Sequence, residues 1–191
     1  PHLSAYQLTI EPNTVFFSHP PRLPGHDAAA DMQVMIEETL GAAGLQHYET
    51  SAFARSGRRC RHNLNYWEFG DYLGIGAGAH GKLSFADRVT RHERVRQPRD
   101  YLAGSGDAQA RTIEAQELPF EFLLNALRLV EGFPPQLFAA RTGLALSRLE
   151  AGLRAAEAQG LLERGPQNIR ATGKGRRFLN DLVALFLPAQ K

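Results

Sequence analysis

A single cysteine, Cys60, stands among 191 residues. One thiol excludes an internal disulfide and any metal site that needs several thiolates from this chain. No apolar run approaches the roughly 18 residues that cross a bilayer. The opening string Pro1-His2-Leu3-Ser4-Ala5-Tyr6-Gln7-Leu8-Thr9-Ile10 has no basic stretch leading into an apolar core and a small-residue cleavage site, so a secretory leader is not expected. These absences predict a cytoplasmic chain without a membrane span, with peripheral membrane association and oligomeric state left open. Charge of one sign is missing too. Residues 1–113 carry twelve basic and twelve acidic side chains and residues 114–191 carry ten and eight, for a formal net charge of +2. Neither half has the dense basic surface that advertises nucleic-acid binding, so nucleic acid is not an expected partner.

What is present has globular proportions: 43% apolar and 22% charged residues, in a length that suits one or two domains, of which two are expected. Residues 2–10 alternate or run apolar up to the turn string Glu11-Pro12-Asn13-Thr14, which predicts a strand. Asp27 is placed to cap a helix through Met32, Val34, Met35, Ile36 and Leu40 that ends at Gly41 or Gly44, and residues 46–50 predict a second strand. A right-handed crossover between those strands would set them parallel, as in an α/β sheet or barrel. Residues 53–69 are irregular, arginine-rich and aromatic. Tyr72-Leu73-Gly74-Ile75 predicts a short strand entering a glycine run, residues 82–85 and 88–92 a hairpin, and residues 98–102 a short helix. A linker is expected at Gly104-Ser105-Gly106-Asp107. Beyond it the pattern turns helical: residues 114–130 with Phe120, Leu123, Leu124 and Leu127 on one face, residues 135–141, and residues 147–159 capped by Ser147. Residues 161–163 and 168–170 flank Gly165-Pro166 as a hairpin, and a last helix covers 173–186. Helices followed by a two-strand wing predict a winged-helix-like domain.

Three strings carry chemistry. Gly76-Ala77-Gly78-Ala79-His80-Gly81 matches G-x-G-x-x-G in form, but a dinucleotide turn needs a helix after the glycines to hold a pyrophosphate, and Lys82-Leu83-Ser84-Phe85 is strand-like. Tight turn packing or backbone contact with a flat ligand both remain open there. Cys60-Arg61-His62-Asn63-Leu64-Asn65-Tyr66-Trp67 combines an imidazole and a thiol, both able to ligate haem iron, with two aromatic planes able to stack on a porphyrin; the alternative is a loop pinned to the core by its aromatics. Arg55, Arg58, Arg59 and Arg61, then Arg88, Arg91, Arg94, Arg96 and Arg99, form two arginine clusters whose guanidinium forks suit carboxylates such as porphyrin propionates; a solvated surface or contact with a nucleic-acid backbone would look the same. In the helix over residues 147–159, Arg148 and Arg154 are offset by Glu150 and Glu157, which suits protein docking or a lid better than a phosphate backbone.

Tyr48-Glu49-Thr50-Ser51-Ala52-Phe53-Ala54-Arg55, the string from Cys60 to Trp67, and Gly70-Asp71-Tyr72-Leu73-Gly74-Ile75 followed by the glycine run resemble the radical S-adenosylmethionine family that contains oxygen-independent coproporphyrinogen III oxidase. The H-N-x-x-Y-W string at His62, Asn63, Tyr66 and Trp67 is similar to its haem-chaperone branch, the HemW type. The resemblance implies that residues 1–105 are the closing strands and appendages of a partial (β/α) barrel and that residues 106–191 are the family's C-terminal, winged-helix-like domain. It implies haem binding at His62, Asn63, Tyr66 and Trp67, with Cys60 as a further candidate, and contact with S-adenosylmethionine at Thr9, Gly78, Ala79 and His80. The family's C-x-x-x-C-x-x-C motif, which holds a four-iron four-sulfur cluster, is not in the sequence, and Cys60 cannot replace three thiolates. The expectation is a C-terminal piece of a longer protein that hands haem to a respiratory acceptor and is inactive as an enzyme by itself. The alternatives are an oxidase that decarboxylates two propionates in porphyrin biosynthesis and, of another class, a winged-helix nucleic-acid binder.

Overall fold

Strand length at the start of the chain is decided by the available partner. Strand β1 is His2–Ser4 and pairs antiparallel with β3, Ala52–Ala54, so three residues of pairing are all that β3 offers. The alternation through residue 10 therefore does not extend the strand, and Thr9 lies in exposed coil beyond it. Strand β2, Gln46–Glu49, pairs antiparallel with the other side of β3, giving the order β1-β3-β2. β1 and β2 thus run in the same direction, as the crossover predicts, but β3 lies between them. The arginine-rich look of the sequence hid β3, whose three residues are all buried. A short helix α1, Val15–Ser18, is capped by Thr14, whose hydroxyl accepts from the Phe17 N–H at 3.2 Å. Helix α2 is His26–Ala42, with Gly25 at its N-cap; Asp27 sits inside the first turn, where its charge favours the helix without capping it. The chain leaves α2 at Gly44, whose φ of +77° suits glycine.

The computed structural model describes residues 1–104 and 109–188, and these divide into two units, Pro1–Cys60 and Arg61–Lys191. The expected linker, apart from Gly104, lies outside the described residues. In the second unit, helix α3 is Arg61–Trp67, and β4, β5 and β6 (His80–Ser84, Val89–Glu93 and Gln109–Thr112) form an antiparallel sheet in that order. The hairpin predicted at 82–85 and 88–92 is β4–β5. The strand expected at 72–75 does not form: Tyr72 makes one isolated bridge to Lys82, and the backbone at Gly74 then presses so close to His80 that a Cβ there would meet the His80 carbonyl oxygen at 2.3 Å. Helix α4, Pro98–Leu102, matches its predicted range.

The core sits among the later helices. Helix α5, Leu118–Ala126, places Phe122 and Leu123 at zero exposure, against Phe133 and Phe138 in edge-to-face contacts of 5.0 and 5.2 Å between ring centres (Phe122 to each). Helix α6 is Pro135–Thr142, closed by Gly143 in the left-handed region. A tight 3-10 turn, Leu146–Leu149, then leads into α7, Glu150–Ala158. Ser147 is inside that turn and is not the cap; the entry is set by burying Leu149 and Leu153, one turn apart and both fully buried. Strands β7 and β8, Leu162–Arg164 and Ile169–Ala171, form the predicted hairpin, and Phe133 bridges to Ile169 on its free side. The last predicted helix is two: α8, Gly173–Arg177, and α9, Leu179–Ala184, broken at Phe178. The fold is mixed α/β, with small sheets and several helices.

Candidate functional site

Helix α3 gathers the aromatic string onto seven residues. His62 and Tyr66 are four apart, so they share a helix face and meet edge to face with ring centres 4.7 Å apart. His62 is exposed while Asn63, Tyr66 and Trp67 are half-buried. Tyr66 packs on Tyr72 at 4.2 Å and lies 6.4 Å from Trp67, and the Arg128 guanidinium covers the Trp67 ring at 4.4 Å. The indole Nε1 of Trp67 is buried without a hydrogen-bond partner, so its N–H is an unspent donor. Trp67, half-buried under Arg128, ties α3 to α5 and the turn that follows it, while His62 stays exposed beside the half-buried Tyr66.

After α3 the chain reverses. Phe69 adopts a φ of +55° and buries its ring against Phe122, and the Gly70 N–H donates to the Asn65 carbonyl at 2.7 Å. A Cβ at Gly70 would meet Asn65 Oδ1 at 2.1 Å, so only glycine closes this turn. Asp71 then accepts from Lys82 Nζ at 2.8 Å, from Ser84 Oγ at 2.7 Å and from the Ser84 N–H at 3.0 Å. Lys82 is 1% exposed and also sits over the Phe69 ring at 4.3 Å. Burial lowers the Lys82 pKa and Asp71 opposes it; burial raises that of Asp71, but its bonds to Lys82 and Ser84 prevail and hold the carboxyl below its ordinary value.

The glycine run does two jobs. Gly74 and Gly81 allow close backbone approach, whereas Gly76 and Gly78 take φ values of +108° and +70°. Strand β4 follows the run directly, as the rejection of a dinucleotide turn requires. The amides are spent internally: Gly76 donates to Tyr101 Oη at 3.2 Å, Gly78 to Val95 O at 2.8 Å and Ala79 to Gly76 O at 3.2 Å. A ligand at this run would be met by the exposed side chains of Leu73, Ile75 and His80. Of the expected residues, His62, Asn63, Tyr66, Trp67, Gly78, Ala79 and His80 fall in the second unit, and Thr9 and the half-buried Cys60 in the first. In the second arginine cluster, Arg88 pairs with Asp87, Arg91 with Glu121 and Arg96 with Glu93, which reduces its availability to propionates. Sequence reasoning missed Tyr72, Lys82 and Glu121 as site residues, and it named Arg91 only as a member of an arginine cluster. Tyr72 and Lys82 lie in or beside a quoted string, but nothing in the sequence pairs Arg91 with a residue thirty positions on.

Among the described residues no group of three or more His, Cys, Asp or Glu side chains could hold a metal ion, and no helix is long and apolar enough to cross a membrane. Residues 113–178 match the HemN C-terminal domain. The chain is 50% identical over 188 residues to the heme chaperone HemW of Escherichia coli, covering 98% of this chain and 50% of that protein. It is 45% identical to HemW of Haemophilus influenzae, covering 98% and 49%, and 31% identical to HemW of Bacillus subtilis, covering 97% and 51%. Its fold is similar to that of the solved coproporphyrinogen III oxidase HemN of Escherichia coli, a radical SAM enzyme, with a TM-score of 0.59 at 14% identity over 85% of this chain and 42% of that one. The chain spans about half the length of the curated relatives it matches, and along 97–98% of its own length it is similar to HemW heme chaperones.

Proposed function

We propose that this chain supplies the haem-handling surface of a cytoplasmic haem chaperone of the radical S-adenosylmethionine superfamily, which passes haem to a respiratory acceptor. The observation that carries the reading is α3 itself: an exposed imidazole at His62, backed edge-on by Tyr66, on a helix anchored by Trp67. A neutral imidazole can ligate iron and an aromatic ring can lie against a porphyrin. Asn63 completes the string, and Cys60 is a secondary candidate. The relatives named for haem chaperoning match across 97–98% of the chain.

In this reading residues 1–105 form the closing strands and appendages of a partial barrel and residues 106–191 a winged-helix-like domain. The β7–β8 hairpin, extended by the Phe133–Ile169 bridge and following α5 to α7, supports the second assignment. S-adenosylmethionine contact falls to Thr9, Gly78, Ala79 and His80, with apolar and side-chain contacts favoured because the amides of Gly76, Gly78 and Ala79 are already bonded. A four-iron four-sulfur cluster does not fit the donor set of this chain, with its one thiol. Nucleic-acid binding is disfavoured because Arg164, on the wing, spends its guanidinium on Glu157 and Glu150 of α7 at 2.6–2.8 Å.

The test is a haem titration of the chain and of its His62→Ala and Cys60→Ser variants. His62→Ala is expected to weaken binding about tenfold or more, equivalent to ~1.4 kcal/mol, while Cys60→Ser keeps the Soret shift. The reverse result would falsify the assignment.

A further inference from the structure

Tyr66 is supported from outside its own helix. One side of its ring meets His62 and another packs on Tyr72, the closest ring pair in the cluster. Tyr72 belongs to no strand: its backbone is tied by the two 2.9 Å hydrogen bonds of the bridge to Lys82, which leaves its ring free to turn. The direction of that ring is set at its tip. Arg91, on β5, donates through Nη1 to the Tyr72 hydroxyl at 2.8 Å and through Nη2 to Glu121 on α5 at 2.6 Å. A guanidinium is planar and its donors diverge at fixed angles, so a carboxylate holding one nitrogen determines where the other points. Glu121 is itself steadied by Arg111 at 3.6 Å, and the side chains of Arg91 and Glu121 are only 27% and 16% exposed, so water competes weakly for these bonds.

We infer that Glu121, Arg91 and Tyr72 form a strut that positions the Tyr66–His62 ring pair for haem, which makes all three positioning residues of that site. The inference rests on the proposed haem reading of His62. The strut also couples the site to the helical core, because α5 carries both Glu121 and the fully buried Phe122 and Leu123. A ring held at one edge only would sample several rotamers around its α3 axis, and haem would have to select among them; a ring clamped by Tyr72 is already in place, and pre-organisation of this kind raises affinity without a new contact.

The experiment uses haem titration of the full chain, followed by Soret position, near-ultraviolet circular dichroism of the unliganded protein and a thermal melt. Tyr72→Phe keeps the ring and deletes the hydroxyl; Glu121→Gln keeps the shape and deletes the charge; Arg164→Ala removes two ion pairs, to Glu150 and Glu157, that touch none of the rings. Tyr72→Phe and Glu121→Gln are each expected to weaken haem binding about five- to tenfold, within the net worth of one ordinary intramolecular hydrogen bond, and to shift the Soret band and the aromatic dichroism. Glu121→Asp should recover part of the affinity, and Arg164→Ala should leave titration and spectra unchanged. If Tyr72→Phe and Glu121→Gln bind haem like the unaltered chain while His62→Ala does not, the strut is overturned and the haem reading stands. If His62→Ala binds like the unaltered chain, the haem reading fails and the strut falls with it. Should Tyr72→Phe melt early, Glu121→Gln, one contact further from the rings, decides the matter.

Discussion

Lys82 shows how one residue's environment sets its chemistry. Its ammonium group is buried and survives there because Asp71, Ser84 and the Phe69 ring surround it. Replacing Asp71 with Asn leaves that charge short of its partner and is expected to cost about 2 kcal/mol in urea unfolding. The same pair predicts a pH dependence. The native carboxyl of Asp71 is held below its ordinary 3.8, so its contribution is present above that value and is lost as the pH falls through the lowered one. The acid limb of a stability–pH curve should therefore flatten in Asp71→Asn, and an unchanged limb would show that Asp71 does not contribute. Gly175 is a second residue with no freedom to change. A Cβ there would lie 1.8 Å from the Leu161 carbonyl oxygen, so Gly175→Ala is expected to destabilise the chain by about 3 kcal/mol through overpacking. Sequence alone marks Gly175 as one of three small or basic residues in Gly173-Lys174-Gly175; only the packed backbone of Leu161 distinguishes it from Gly173, around which there is open space.

Among elements, those entered through a cap separate from those entered through burial. Thr172 begins α8 by accepting from the Gly175 N–H at 3.0 Å while its hydroxyl donates to the Gly160 carbonyl at 2.8 Å. Thr172→Ala removes both bonds and should cost about 1–2 kcal/mol by the same unfolding measurement. Ser147 looks equally suitable from its position, yet Ser147→Ala is expected to be nearly neutral, because α7 is aligned by Leu149 and Leu153. The β7–β8 hairpin obeys the same logic of side chains satisfied internally. With Arg164 held by Glu150 and Glu157, and Arg170 by Glu163, fluorescence anisotropy with duplex DNA should show neither tight binding at physiological salt nor a steep salt slope. Micromolar or tighter binding would restore the nucleic-acid reading.

At the scale of the whole molecule, buried apolar side chains are unevenly distributed among the described residues. The large apolar cluster, from Phe69 through Phe122, Phe133 and Leu153 to Phe186, lies entirely within Arg61–Lys191. In Pro1–Cys60 the buried apolar residues are Tyr48, Ala52, Phe53 and Ala54, and no residue of α2 is fully buried. Native-state hydrogen exchange should find the amides of β1 to β3 much less protected than those of α5 and α7, since local opening is cheapest where little apolar surface is buried. Equal protection in both units would contradict this. Reconstitution of the chain with iron and sulfide is expected to leave it without stoichiometric cluster absorbance, since one thiol cannot replace three.

Composition and local pattern determined whatever depends on neighbours in the chain: the β4–β5 and β7–β8 hairpins, the range of α4, and the existence of α2, α5 and α6, whereas residues 61–67, irregular by their sequence, fold as α3 and only then set His62 and Tyr66 on one face. The quoted strings were also enough to mark the family. Tertiary structure alone decided what depends on distant partners. β3 exists because β1 and β2 flank it, the expected strand at 72–75 fails because Gly74 is pressed against His80, and the last helix breaks at Phe178. The joining of Tyr72, Arg91 and Glu121 belongs to the same class. Hydrogen bonds between residues nineteen and thirty positions apart form only after a sheet and a helix have packed together, and no periodicity in a sequence encodes that meeting.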